Sequence, residues 1–203
     1  MGIDWIRIIS FCLISCGAQL FAQSGLRGNA PAGTASAFEA GLGCVFMSMT
    51  SAETARLNLV GVDANSVLQF APRWGAVVDL TFARAANVPG TGHSDKVFSA
   101  LAGPEFFLID RIRGNLFVHG LAGVALVDSA FLAADSFEFH GYAARFSYAF
   151  GAGAEVTVHG PIAVRVTGDY QRTTFVNSVL GTVPQNNLRL GTSLLYRFGS
   201  RAQ

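Results

Sequence analysis

The sequence predicts an all-β chain folded as one eight-stranded antiparallel up-and-down transmembrane β-barrel. Three observations carry that expectation. From Phe38 onward, apolar residues alternate with small or polar ones at period two, the pattern of strands whose two faces meet different surroundings. The polar positions hold mostly Gly, Ser, Thr, Ala and Asn, with charges placed singly among them and no Lys. The apolar positions begin and end in aromatics, as they do where strands pass from one membrane interface to the other.

The totals agree. The chain has 203 residues, a formal charge of +1, and only 13% charged residues, against about a quarter in an average soluble domain. It holds 23 Gly and 17 Phe. A net charge so near zero gives no clustered basic face for nucleic acid.

The first segment, residues 1–22, reads as a secretory signal. Arg7 supplies the charged end, Ile8 to Ile14 an apolar stretch too short to span a bilayer, and LFAQS a cleavage point after Ala22 or one residue later. A second reading takes LISC, ending at Cys16, as a lipoprotein-processing box. With ordinary cleavage Cys12 and Cys16 leave, and Cys44 remains as a lone thiol with no internal disulfide to make. Residues 23–37, rich in Gly, Pro and small polar residues, read as a flexible periplasmic leader.

The barrel is expected over 38–199. Its first strand sets Phe38, Ala40, Leu42, Cys44 and Phe46 against Glu39, Gly41, Gly43 and Val45. The second sets Val62 to Phe70 against Asp63, Asn65, Val67 and Gln69, and the third sets Ala76 to Phe82 against Val77, Asp79 and Thr81. The fourth opposes Phe98, Ala100, Ala102, Phe106 and Leu108 to Ser99, Leu101, Gly103 and Glu105. In the fifth, Val118, Val124 and Leu126 oppose His119, Gly123 and Ala125. Tyr148 to Val158 oppose Ser147, Gly151, Gly153 and Glu155 in the sixth, and Ile162 to Tyr170 oppose Arg165, Thr167, Asp169 and Gln171 in the seventh. The eighth sets Leu188, Leu190, Leu194, Tyr196 and Phe198 against Arg189 and Arg197. Short turns are expected at APRW (71–74), IDRIRGN (109–115) and HGP (159–161). Longer connections are expected at 49–56, 86–95, 128–140 and 174–186, so that one rim carries turns and the other loops.

The direction of the two faces decides the environment. A soluble barrel hides its apolar face and meets water with many Lys, Glu and Asp. Here the polar face carries sparse charges of both signs and Arg rather than Lys, which suits a narrow interior where carboxylates need a forked partner. Glu39, Asp63, Asp79, Glu105, His119, Glu155, Arg165, Asp169, Arg189 and Arg197 are therefore expected to form a structural polar network in the lumen. The leucines and aromatics are expected to face lipid.

The stretches LNLVGVDANSVLQFAPRWGAVVDLTF, ALAGPEFF, LFVHGLAGVAL, AFGAGAEVTV and DYQRTTF…QNNLRLGTSLLYRFG resemble the small OmpA-like, opacity-type barrels described as an outer membrane protein beta-barrel domain. The resemblance implies insertion in a bacterial outer membrane, termini in the periplasm and loops outside. It also implies that the last strand, with Leu188, Leu190, Leu194, Tyr196 and Phe198, is read by the barrel assembly machinery. Here GSRAQ follows Phe198, where the family's signal usually ends the chain. Activity is not uniform across such barrels.

Sharper chemistry finds little footing. GAGAEV (151–156) lacks the third glycine of a dinucleotide turn and lies inside a strand pattern. His119 as a base would need a nucleophile and an orienting acid in reach, and the next residue on its face is Leu121. His93 with Asp95, and His140 near Glu138, are too few ligand types for a metal site. The reading is a monomeric, non-enzymatic barrel without cofactor or metal. Its partners are outer-membrane lipid, the assembly machinery and a surface ligand at the loops. Three alternatives stay open: a narrow ion or solute channel, an enzyme acting on lipid, and a soluble periplasmic ligand-binding barrel.

Overall fold

A computed structural model describes residues 37–50, 56–85, 94–111, 114–128, 131–132, 138–139, 142–177 and 181–198. The expected signal, all of the expected leader except Ala37, and GSRAQ lie outside the described residues. Among the described residues every regular element is a strand: β1 (Ala37–Thr50), β2 (Arg56–Ala71), β3 (Trp74–Ala85), β4 (Asp95–Arg111), β5 (Gly114–Asp128), β6 (Phe131–Leu132), β7 (Glu138–Phe139), β8 (Tyr142–His159), β9 (Ile162–Asn177) and β10 (Gly181–Phe198).

β6 and β7 pair only with each other. The other eight close into one barrel in the order β1-β10-β9-β8-β5-β4-β3-β2, every neighbour antiparallel. Closure is made by β1 against β10, from Phe38↔Phe198 to Met49↔Asn187. The result is the expected up-and-down architecture, and it leaves no free sheet edge along the body of the wall.

Period two in the sequence becomes inside and outside in the wall. β3 alternates strictly, with Val77, Asp79, Thr81 and Ala83 buried between Ala76, Val78, Leu80 and Phe82 on the outer face. Leu42 is 72% exposed, and Val62, Phe70, Phe146, Phe150, Val158, Leu188, Leu194, Tyr196 and Phe198 are exposed around the same outer surface. The apolar face therefore points away from the lumen, opposite to a soluble ligand-binding barrel.

The strands run further than the sequence pattern predicts. β9 reaches Asn177 and β10 starts at Gly181, where a connection is expected over 174–186. Pro184 is tolerated there because β10 pairs with β9 alone at that level: its pairing with β1 stops at Asn187↔Met49, so the missing N–H faces no partner strand. β4 and β5 run to within two residues of each other, and the short turns shrink to 72–73 and 160–161. Gly160 closes the last of these at φ +53°, the left-handed conformation that glycine adopts without penalty.

The inner face is only half as the sequence predicts. Toward the short turns it is charged. Toward the loops, Val45, Met47, Met49, Leu57, Leu59, Ala83, Ala85, Val97 and Val127 form an apolar cluster inside the barrel. Val67, Val77, Leu101, Phe107, Phe117, Leu121 and Ala149 form a second. An eight-stranded lumen is just wide enough for side chains to fill, and packed methyl groups satisfy such a space as well as paired charges do.

Leu59 and Val60 are neighbours on opposite faces, 0% and 64% exposed. Leu59→Ala is expected to cost about 3 kcal/mol through the cavity it leaves, and Val60→Ala well under half as much, read from urea unfolding of the protein in detergent micelles. Equal losses would mean the two faces are wrongly assigned.

Candidate functional site

The inner charges come from strands distant in sequence, and the register brings them together. Arg197 on β10 lies opposite Glu39 on β1, and its Nε donates to Glu39 Oε1 at 2.9 Å. Its Nη1 donates to Thr157 Oγ1 at 2.5 Å and its Nη2 to Glu155 Oε2 at 3.3 Å. Glu155 on β8 also accepts from Asn115 Nδ2 at 3.1 Å and from Arg165 Nη1 at 2.7 Å. Arg165, on β9, then crosses the lumen to β4, where Nη1 and Nη2 both donate to Glu105.

Glu105 Oε2 stands 3.7 Å from His119 Nδ1. On the other side of the ring, His119 Nε2 lies 2.8 Å from Asp169 Oδ1. Arg189 donates from Nε to Asp169 Oδ2 at 2.8 Å. It crosses the lumen again to β3, giving Nη1 to Asp79 Oδ1 at 2.5 Å and to Thr81 Oγ1 at 2.7 Å. One chain of contacts thus runs Glu39–Arg197–Glu155–Arg165–Glu105–His119–Asp169–Arg189–Asp79, with carboxylates separated by a cation or an imidazole throughout. All nine residues face inward, and all but Arg197 are at most 7% exposed.

Asp63, the tenth expected member, stands apart. Its Oδ2 accepts from Asn65 Nδ2 at 2.9 Å, and the same amide donates to Ser193 Oγ at 2.9 Å. No Arg, Lys or His nitrogen forms an ion pair with it among the described residues.

Small and large residues interlock around this chain. Gly151 on β8 lies between His119 and Asp169 in the register, and a Cβ there would strike both the Asp169 carboxylate and His119 Nε2. The bond between strands β5 and β9 thus passes over β8 only because β8 offers a glycine. The Phe117 ring stacks on the His119 ring, with centroids 5.8 Å apart. On the Phe117 face lies the Arg165 guanidinium, its Cζ 3.8 Å from the centroid, a cation–π contact that adds to the ion pairs.

Phe117, Thr157, Asn115 and Thr81 join this chain without having been expected there. Phe117 was legible in principle, being two residues before His119 and so on its face; it was masked because Phe elsewhere marks the outer face. The described contacts of His119 are two carboxylates and an aromatic ring, with no hydroxyl or thiol in reach to attack a substrate. Among the described residues no group of three or more His, Cys, Asp and Glu could hold a metal ion. His93 and His140 lie outside the described residues.

No protein-family model and no curated protein sequence matches the chain. Solved structures do. Neisserial surface protein A (NspA) superposes with a TM-score of 0.65 at 11% identity, over 80% of this chain and 99% of that one. The outer membrane protein OprG from Pseudomonas aeruginosa gives 0.55 at 10% identity, over 82% and 98%. Ail, the attachment invasion locus protein of Yersinia pestis, solved with the heparin analogue sucrose octasulfate, gives 0.52 at 19% identity, over 80% and 99%. At these identities the likeness is one of fold.

Arg165→Met leaves Glu105 and Glu155 facing each other without their shared cation. It is expected to cost about 3–5 kcal/mol, the usual penalty for breaking a buried pair from one side. Adding Glu105→Gln and Glu155→Gln should restore most of that loss in urea unfolding; a triple variant no more stable than the single one would show that the guanidinium acts through packing on Phe117 instead.

Proposed function

We propose that this chain is an integral barrel of the bacterial outer membrane, with a structural wall and surface recognition carried by the connections between strands on the loop rim. One observation carries the reading. The sheet closes on itself with its large apolar side chains outward and its charged side chains inward, the arrangement lipid requires and water penalises. Closure pairs backbone groups along the wall, and aromatics gather near both rims. Phe38 with Phe198, and Trp74 with Phe106, sit toward the short turns; Phe146 with Tyr148 sits toward the loops.

A surface role is supported by what the similar folds are described as: a surface protein in NspA and an attachment protein in Ail. The alternating outward Leu188, Leu190, Leu194, Tyr196 and Phe198 of β10 suit a terminal strand read by the assembly machinery. A non-enzymatic role is supported by His119, which is held between two carboxylates with no nucleophile among its contacts in the described residues.

Gel mobility tests the reading directly. Membrane-fraction protein run unboiled in detergent is expected to migrate at a different apparent mass from boiled protein, since a closed barrel resists the detergent until heated. Identical mobility, with the protein recovered in the soluble periplasm, would sink the membrane assignment.

The ion-pair chain also bears on conduction. Arg165 and Arg189 each tie opposite walls of the lumen together, so purified protein in a planar bilayer is expected to show no steady unit conductance. Discrete channels in the intact protein would instead favour the narrow-channel reading.

A further inference from the structure

On the outer face, a depression of about 360 Å³ opens over strands β4 and β5. Trp74, Pro104, Phe106, Val118, Gly120 and Phe150 line it. It exists because two outward positions that should carry large side chains do not. Pro104 and Gly120 face each other at the same level of the wall, and the neighbouring outward residues are tall. Trp74 and Phe106 close the side toward the short turns, edge to face with centroids 4.9 Å apart. The Phe150 ring leans over Gly120, 3.4 Å from where a Cβ would stand.

The wall is also locally altered there. Pairing between β4 and β5 passes from Ala102↔Ala122 to Glu105↔His119, with no partners at Gly103 and Pro104. Proline has no N–H to give to the strand beside it, so the ladder is interrupted beneath the depression. Within a strand flanked on both sides, proline is a costly choice. Its ring, with the missing side chain of Gly120, shapes the floor.

We propose that this groove holds one acyl chain of a membrane lipid as a bound, slowly exchanging partner. The proposal rests on the outer-membrane reading above and goes beyond it, since annular lipid needs no groove. The occupant follows from the lining. The walls are carbon on three sides, and the one ionisable residue in the lining, His119, turns its side chain into the lumen, 2% exposed. The groove also opens on the outward apolar surface, between its middle and the short-turn rim, continuous with Val118 and Phe150. In lipid there is no hydrophobic drive toward such a site; what favours it is closer packing than bulk chains give each other. A flexible methylene chain fits an open groove closed at one end by two aromatics.

Trp74 lies in the groove, and the chain holds only one other Trp, Trp5. Trp5→Phe therefore makes Trp74 a single fluorescent reporter of its occupant. The protein is reconstituted into vesicles of diphytanoyl phosphatidylcholine, whose methyl-branched chains pack less closely against the groove, mixed with dibrominated dioleoyl phosphatidylcholine, whose unbranched chains carry bromines that quench on contact. The expected result is quenching that saturates early, with an apparent preference about fivefold over random mixing, or ~1 kcal/mol. Gly120→Leu, which fills the groove, and Phe150→Ala, which removes a wall, should each return the curve to random mixing while keeping the heat-dependent gel shift. Random mixing already in the Trp5→Phe protein would overturn the site and leave the membrane reading intact. No quenching in protein that floats with the vesicles would mean that protein, such as a second copy, covers the groove, and would also overturn it. Failure to float with vesicles at all would remove the membrane reading itself.

Discussion

Everything inside this molecule answers to one constraint: a closed sheet of eight strands leaves a lumen no wider than the side chains that fill it. Inward groups are turned from lipid and largely closed off from water, so they must find partners among one another, on neighbouring strands or across the barrel. That is why the inner cations here are arginines. A guanidinium can serve carboxylates on both sides at once, as Arg165 does for Glu105 and Glu155, and as Arg189 does for Asp79 and Asp169. The same constraint puts Gly151 between His119 and Asp169. Where a long contact must pass over a strand, that strand has to give up its side chain.

The ion-pair chain is better understood as a fixer of register than as a store of stability. Taking charges out of water costs about what their attraction returns, so replacing the network with well-packed apolar groups need not weaken the barrel. Misplacing one charge is another matter. Glu39 and Arg197 meet across the β1–β10 seam, the one junction between strands at opposite ends of the barrel sequence. A slip of one residue there would turn every side chain of β10 to the wrong face, putting Arg189 and Arg197 into the apolar surface and Leu190 and Tyr196 into the lumen. The seam has few local signals to hold it, and the charges supply one.

The sequence showed the alternation, the number of strands and the direction of each expected charge, because period two is set by the backbone and needs no knowledge of partners. Pairing was out of its reach. Arg189 and Asp79 lie 110 residues apart, and nothing local to either names the other. The apolar interior was also hidden, for a different reason. In Val45–Phe46–Met47 and Leu59–Val60 both faces are apolar, so the alternation that separates inside from outside fades. The strands then appeared to end where they only changed their inner lining. Asp63 was assigned to the network by its face alone, and face does not determine contact: its nearest donor is the amide of Asn65, on its own strand.

That change of lining has a direction. Most described inward carboxylates sit toward the short turns and the middle, while the loop half is lined largely by Val45, Met47, Met49, Leu57, Leu59, Val97 and Val127 on one wall and by neutral Ser147, Gln171, Thr173 and Asn187 on the other, with Asp95 and Arg145 as charged exceptions near the rim. The two linings differ in what they demand of the register. Methyl groups need no particular partner, so the apolar lining packs wherever the strands bring it together. Carboxylates do, because one left facing another without its cation costs several kcal/mol. The half that holds Glu39, Glu105, Glu155, Asp169 and their arginines therefore specifies how the strands meet, and the apolar half fills the space that this register leaves.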